Sequence, residues 1–240
     1  MRVGNLEQHT SGLPEYLSFP AVQGKDPRFA CDTDYVGEFA RLQAQFPLQF
    51  PTGEKFAYTN TNYMLLALIV ERVSKKSFGT FLKDAIFTPL GMAAATVCEY
   101  ADVRPKNPAI GYSNQNGVYQ PAWGATPDLN ETLLTVGDGG VWVSLEDLVR
   151  WNLAWQQGKV LKQSTINSFL VPSRTRDGNT NNYAFGWGLT FNKGKLVEMG
   201  HNGAWAGFAT EIDRNLATGR TVLILSNGSY DLGWILSAAK

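Results

Sequence analysis

The chain has 240 residues, no net charge at neutral pH and 44% hydrophobic residues, a composition that supports a sizeable core and argues against disorder. The balanced charge predicts no nucleic-acid-binding patch, and the longest apolar run, residues 64–70, is too short to cross a bilayer. Two histidines and two cysteines argue against a histidine-rich metal centre and a disulfide scaffold, so we expect no metal and no cofactor.

Two properties stay open in the sequence. Cys31 and Cys98 fit either one disulfide or two buried thiols. Polar residues rather than an apolar segment follow residues 1–4, so no signal peptide is predicted, and the compartment is undetermined.

The first 57 residues are predicted to be mostly irregular. Residues 9–14 form a turn cluster, and residues 34–45 have helical spacing. Pro47 and Pro51 then force an extended stretch, because proline disfavours a helix at the residue before it.

Two helices are predicted next. Thr59 or Asn60 can cap a helix that runs to about Ser74. Because residues 64–70 are apolar on every face, we expect this helix to be buried. A second helix is predicted over residues 78–86, and its inward-facing side chains are Phe78, Phe81, Leu82 and Phe87.

Residues 93–135 are rich in Pro, Asn and Gly and are predicted to be a long irregular region that forms a wall of a cleft. Its aromatic residues are expected to decide which substrate fits; they are Tyr100, Tyr112, Tyr119 and Trp123. Ser144 is predicted to cap a helix over residues 145–157 with an acidic first turn. A short helix follows at residues 163–171.

The pattern then changes from helical spacing to period two. Strands are predicted at residues 183–191, 196–200, 205–213 and 221–226, with turns at Asn-Lys-Gly, His-Asn-Gly and Ala-Thr-Gly. Strands joined in sequence by tight turns form an antiparallel sheet. A terminal helix at residues 232–239 completes an α+β fold, which is mainly helical over residues 1–175 and mainly stranded over residues 176–240.

Tyr58-Thr59-Asn60 stands directly before the apolar helix, where a serine acyl-transferase would place a proton-transfer group and a substrate-binding amide. A tyrosine hydroxyl has a pKa near 10, so it becomes a useful base only when cations or donors stabilise the phenolate. His201-Asn202-Gly203 could supply such a partner. Either motif alone also fits an ordinary buried tyrosine or an ordinary hairpin turn.

Five segments in order raise the significance of these motifs. They are residues 9–16, 51–63, 86–92, 137–151 and 185–189, and together they resemble the serine β-lactamase-like hydrolases. The resemblance is closest to class C β-lactamases, D-Ala-D-Ala carboxypeptidases and related esterases, and the run over residues 51–92 is its most specific part.

The resemblance implies a fold and a set of roles. The fold is that of β-lactamases and penicillin-binding-protein transpeptidases, an antiparallel sheet packed against a helical region. Tyr58 would shuttle a proton to and from the nucleophile, and Asn60 would hold the lysine of the nucleophile motif and the substrate amide. His201 would tune Tyr58 or the polar end of the substrate. Asn202, Gly203 and Ala204 would bind substrate, with the Ala204 N–H as one oxyanion donor.

The family's Ser-x-x-Lys nucleophile motif is missing from its expected place. In the family it lies several dozen residues before the turn that here begins at His9. The chain has one match, Ser237 to Lys240, at its C-terminus, which we interpret as a coincidence; a permuted enzyme is the alternative interpretation. Ser11 has no lysine at the right offset, and His9 is interpreted as a structural histidine of the turn.

Three interpretations remain. The chain is a β-lactamase-like hydrolase domain over residues 1–240 without its N-terminal strands and nucleophile helix, and therefore inactive. Alternatively, it is a non-catalytic protein that binds a peptide, ester or other small molecule, or one part of a two-chain assembly. The apolar strand Thr221–Ser226 would be an open sheet edge in such a chain, so we expect a second copy or a partner to cover it.

Overall fold

A computed structural model of the chain describes residues 1–16, 46–98, 105–122, 136–205 and 207–239. The helices are α1 (Val3–Glu7), α2 (Asn60–Ser74), α3 (Phe78–Leu82), a π-helical turn (Lys83–Phe87), α4 (Leu145–Gln156), α5 (Gln163–Phe169) and α6 (Gly233–Ala239). The predicted helix at residues 34–45, together with Cys31, Tyr100, Trp123 and Lys240, lies outside the described residues.

The strands form one larger sheet and three small ones. The first strands are β1 (Thr96–Val97), β2 (Tyr112–Gln115), β3 (Val118–Pro121), β4 (Val141–Trp142), β5 (Ser173–Arg174) and β6 (Thr180–Asn181). The five strands of the larger sheet are β7 (Tyr183–Ala184), β8 (Trp187–Asn192), β9 (Lys195–Trp205), β10 (Phe208–Asn215) and β11 (Thr221–Ser226). This sheet is antiparallel throughout, in the order β11-β10-β9-β8-β7. The predicted α+β fold with an antiparallel sheet is confirmed.

The helix α2 is the centre of the helical region. Thr59 is its N-cap and Ser74 its last residue, as predicted. Met64 and Ala67 are fully buried, whereas the other apolar residues between them and Val70 are half-buried rather than fully enclosed. Ala67 belongs to a core with Phe87 and Met92, against which α3 also packs.

The turn at residues 9–16 packs against the start of α2. Thr61 donates from Oγ1 to the Pro14 carbonyl at 2.8 Å, and the Tyr16 N–H donates to the same hydroxyl at 2.9 Å. The Ala57 N–H donates to the His9 carbonyl at 2.9 Å. These bonds fix the turn against the first turn of α2.

Two elements of the fold differ from the sequence expectation. The first residues contain the short helix α1, although the region was predicted to be irregular. In the region 93–135, β2 and β3 form a hairpin whose turn is Asn116-Gly117, with φ values of 54° and 87°. An Asn-Gly pair is the strongest short hairpin signal, because both residues tolerate positive φ.

The predicted turn at His201-Asn202-Gly203 is wrong. These residues lie inside β9 and pair with Ile212, Glu211 and Thr210 of β10. The chain reverses later, where Gly207 has φ of 82° and a Cβ atom would lie 2.5 Å from the Tyr112 nitrogen. The close approach of β2, rather than the His-Asn-Gly glycine, therefore sets the position of the turn.

The strand β11 is one edge of the larger sheet. Among the described strands it pairs with β10 alone, in register from Ala209 with Ser226 to Arg214 with Thr221. The helix α4 lies beside it, and Gln156 donates from Nε2 to the Thr221 hydroxyl at 3.2 Å. Within the described ranges, every helix falls short of the length and hydrophobicity that crossing a membrane requires.

Candidate active site

Tyr58 and His201 come together although they are far apart in sequence. Tyr58 stands one residue before the N-cap of α2, and its side chain is half exposed. His201 lies on β9, and the centroids of the two rings are 6.2 Å apart. The start of α2 and the middle of β9 therefore form the two sides of one site.

Asn60 is the first residue of α2. Its main-chain N–H donates to Oε2 of Glu15 at 2.8 Å, and the Thr59 hydroxyl donates to the same carboxylate oxygen at 3.3 Å. Glu15 thus supplies the acceptor that an N-cap side chain usually provides at a helix start. This carboxylate fixes the backbone on which Tyr58 and Asn60 are carried.

His201 is hydrogen-bonded on both ring nitrogens. Its Nδ1 lies 2.6 Å from the carbonyl oxygen of Asn202, and its Nε2 lies 3.2 Å from the hydroxyl of Tyr183. A carbonyl only accepts, so Nδ1 carries the proton in its bond to Asn202, and in that neutral tautomer Nε2 accepts from Tyr183. The side-chain partner of His201 is therefore Tyr183, while its relation to Tyr58 is one of ring proximity.

Tyr183 is a site residue that the sequence reasoning missed. Its ring centroid lies 5.9 Å from that of Tyr58 and 5.8 Å from that of His201. Burial raises the pKa of the Tyr183 phenol above its ordinary value, so the hydroxyl stays protonated at neutral pH. Its one sequence signal is that it begins the first period-two segment.

Asn202, Gly203 and Ala204 lie where β9 extends past its neighbour. They pair with Glu211, Thr210 and Ala209 of β10, whereas the pairing of β9 with β8 ends at Gly200. The described part of β8 therefore leaves this stretch of backbone uncovered on one side. A Cβ atom on Gly203 would lie 2.5 Å from Oγ1 of Thr210, so a larger residue here would force that hydroxyl to move.

Acidic groups surround Tyr58. Burial raises the pKa of its phenol, and the carboxylates of Asp138 and Glu15 raise it further. The Asp138 carboxylate is held in place by the Tyr16 hydroxyl, which donates to it at 2.8 Å. Both carboxylates disfavour the phenolate, so a base at this position needs a positive charge nearby.

The sequence offers two serines as candidate nucleophiles, one in the turn at residues 9–16 and one on the terminal helix α6. Ser11 is buried, and its hydroxyl donates to Oδ1 of Asn62 at 2.7 Å. Ser237 is exposed on α6, which follows the edge strand β11.

Comparisons with known proteins agree on one family. A family model described as Beta-lactamase matches residues 1–233. Penicillin-binding protein 4* of Bacillus subtilis is 30% identical over 249 aligned residues, which cover 99% of this chain and 54% of the relative. A D-aminopeptidase of Gluconobacter oxydans is 30% identical over 207 residues, covering 85% of this chain and 37% of the relative.

A solved structure shows the same fold. The penicillin-binding protein from Bacillus halodurans has a TM-score of 0.80 and 23% sequence identity, and the match covers 98% of this chain and 70% of that protein. The chain spans about half the length or less of the two curated relatives, at 54% and 37%.

Proposed function

The chain belongs to the Beta-lactamase family, and on that premise we propose that it carries the proton-relay and substrate-binding half of a serine hydrolase site. Its ligands would be amides, β-lactams or esters; the names of the relatives, a penicillin-binding protein and a D-aminopeptidase, support the first two classes. The observation that supports the proposal most is the 6.2 Å separation of the Tyr58 and His201 rings.

Each residue has a role in the proposed reaction. A serine Oγ attacks the carbonyl carbon and its proton passes to the phenolate form of Tyr58. The Tyr58 phenol then gives that proton to the leaving nitrogen or oxygen as the C–N or C–O bond breaks, which restores the phenolate. Water then hydrolyses the acyl-serine ester by the reverse proton path. Asn60 holds the substrate amide, and the open backbone of β9 at residues 202–204 binds the substrate's extended part.

The serine of this reaction must come from outside the residues of the site described above. The one Ser-x-x-Lys of the chain is Ser237 to Lys240, and Ser237 is exposed on α6. Loss of a nucleophile typically costs a factor of about a million in turnover. We therefore propose that this chain on its own does not turn over substrate.

Covalent labelling tests the inactivity of the isolated chain. The chain and its Ser237→Ala variant are treated with a fluorophosphonate and with benzylpenicillin, and intact mass is measured. We expect no adduct on either protein. An adduct on the unaltered chain that disappears in Ser237→Ala would make Ser237 the nucleophile and overturn the proposal.

A chimera tests the roles of the site residues. The segment of Penicillin-binding protein 4* that precedes the aligned region is fused before Met1, so that a serine nucleophile is supplied. We expect the chimera to be labelled and Tyr58→Phe to slow labelling at least about 100-fold, which is typical of a lost proton-transfer group. Tyr230→Phe, at an exposed tyrosine that has no proposed role in the site, is the matched control. Equal labelling rates for the two variants would contradict the role of Tyr58.

The open edge of β11 favours a second candidate, in which the chain is one part of an assembly. The strand Thr221–Ser226 has neither charge nor proline, and Leu225 on it is 38% exposed. Such an edge accepts a further strand from another polypeptide. Native mass spectrometry would then show a complex that Leu225→Lys weakens and that Val73→Lys, on the exposed face of α2, leaves intact. A monomer at all concentrations contradicts this candidate.

A further inference from the structure

His9 occupies the centre of the aromatic cluster that carries Tyr58. Its side chain is fully buried, and its backbone has φ of 52°, in the left-handed region. Its ring centroid lies 4.2 Å from that of Tyr58 at an angle of 32°, and 5.2 Å from that of Tyr63 at 29°. The Tyr183 ring meets it edge-on at 4.8 Å. The imidazole therefore contacts both tyrosines of the site.

Two donors fix the proton on this imidazole. The Thr59 N–H donates to Nδ1 at 3.2 Å, and the Asn62 side-chain nitrogen lies 3.1 Å from the same atom. The Asn62 oxygen accepts from Ser11 at 2.7 Å, which orients its NH₂ group toward His9. Since Nδ1 accepts, the proton of the neutral ring is on Nε2, a buried atom without a hydrogen-bond partner among the described residues.

We propose that His9 is a positioning residue for Tyr58: a neutral imidazole, protonated on Nε2, that holds the tyrosine ring and the first turn of α2 in place. The inference rests on the proposed role of Tyr58 as the proton relay. It assigns a task at the site to a histidine that the sequence indicated only as part of a turn.

The surroundings keep this imidazole uncharged. Burial and, to a smaller extent, the nearby His201 together lower the pKa of His9 to about 4. The other titratable groups that face it are the phenols of Tyr58, Tyr63 and Tyr183, all of which have pKa values raised by burial. A proton on Nδ1 would point at two N–H donors, so charging the ring would break both bonds to α2.

A neutral ring also suits the chemistry at Tyr58. A cation stacked on the phenol would hold a positive charge beside the relay at every stage of the reaction. The neutral ring supplies only shape and dispersion contact, and it leaves the charge on Tyr58 to be set by groups that arrive with the substrate or nucleophile. Positioning and proton transfer are thus divided between His9 and Tyr58.

Nuclear magnetic resonance of the existing chain tests the inference without any turnover. Long-range ¹H–¹⁵N spectra report which ring nitrogen carries the proton. We expect the Nε2–H form for His9, unchanged between pH 8 and about 5. An Nδ1–H form, or titration near the ordinary histidine pKa, overturns the proposal regardless of how any variant folds.

Two variants separate the contribution of the His9 ring from that of its hydrogen-bond acceptor. His9→Phe keeps a ring but removes the acceptor, and His9→Asn keeps an acceptor near Nδ1 but removes the ring. We expect both to shift the titration of the Tyr58 phenol, followed by ¹³Cζ and assigned with Tyr58→Phe, by at least about half a pH unit. Folded variants in which Tyr58 titrates as before would refute the positioning role. A Tyr58→Phe chimera that labels normally would instead refute the proposed function and leave the tautomer result standing.

Discussion

The pH dependence of stability provides a quantitative test of the buried, neutral His9. Its pKa falls from an ordinary value of about 6.5 to about 4 in the folded chain, because burial and the nearby His201 disfavour the charged ring. On acidification, His9 of the unfolded chain therefore takes up a proton near pH about 6.5, whereas His9 of the folded chain takes it up only near pH about 4. His9 contributes stability above pH 6.5 that is lost as the pH falls toward 4.

The size of the loss follows from the shift. Each pH unit in this window is worth about 1.4 kcal/mol, so the contribution lost between pH 7.5 and pH 4.5 is about 2 to 3 kcal/mol. Carboxylates also titrate near the lower limit, so the measurement needs a reference chain that differs at His9 alone. His9→Asn has no titrating group there and retains a hydrogen-bond acceptor.

The assay is urea unfolding followed by tryptophan fluorescence at four pH values from 7.5 to 4.5. We expect the free energy of unfolding to fall more steeply with acidification for the unaltered chain than for His9→Asn. The difference between the two slopes should amount to about 2 to 3 kcal/mol over the range. Parallel slopes, or a wild-type chain that gains stability relative to the variant on acidification, would show that His9 is neither buried nor neutral as described.

Three further predictions concern the frame of the site. Gly207→Ala places Cβ within 2.6 Å of backbone at the start of β2, whereas Gly194→Ala, at a similar φ of 78°, meets nothing within 4 Å. We expect chemical denaturation to show that Gly207→Ala lowers the free energy of unfolding by at least about 2 kcal/mol more than Gly194→Ala. Equal losses would contradict the close approach of β2 to Gly207. Gly203→Ala should lower the free energy of unfolding by about 1 to 3 kcal/mol, because its Cβ would lie 2.5 Å from the Thr210 hydroxyl. Adding Thr210→Ala should restore most of the lost stability. A double variant as unstable as Gly203→Ala would rule out this contact as the cause. Tyr183→Phe removes the hydroxyl that lies 3.2 Å from Nε2 of His201. The ¹⁵N resonances of the His201 ring should shift, and the free energy of unfolding should fall by about 1 kcal/mol. An unchanged His201 spectrum would show that this hydrogen bond is absent in solution.

Local patterns predicted the elements whose cause is local. The bounds of α2 and β11 follow from a cap before an apolar run and from an uninterrupted apolar segment, and both agree with the structure. Ser144 caps α4, where its hydroxyl accepts from the Asp147 N–H at 3.1 Å. The Asn116-Gly117 hairpin was also within reach of the sequence, but the richness of the region in Pro, Asn and Gly was interpreted as irregular structure.

Contacts through space decided the elements that the patterns missed. A histidine, an asparagine and a glycine in a row predict a turn, yet Gly203 lies inside β9 and packs against the Thr210 side chain of β10. Tyr183 and His9 gain their places only when β7, β9 and the turn at residues 9–16 meet around Tyr58. Their ring contacts and hydrogen bonds join residues that no periodicity in the sequence relates.

The raised pKa of Tyr58 indicates what the proposed reaction needs in addition to the described residues. Its pKa is raised by burial and by two carboxylates, which is the opposite of what a proton acceptor requires. Among the described residues, the ring stacked on it is the neutral His9, and the polar bond of His201 goes to Tyr183. The positive charge that would make Tyr58 a base must therefore come from outside the described residues of the site. A Ser-x-x-Lys motif contains both a serine and a lysine, so we propose that the nucleophile and the positive charge at Tyr58 are supplied by one such motif.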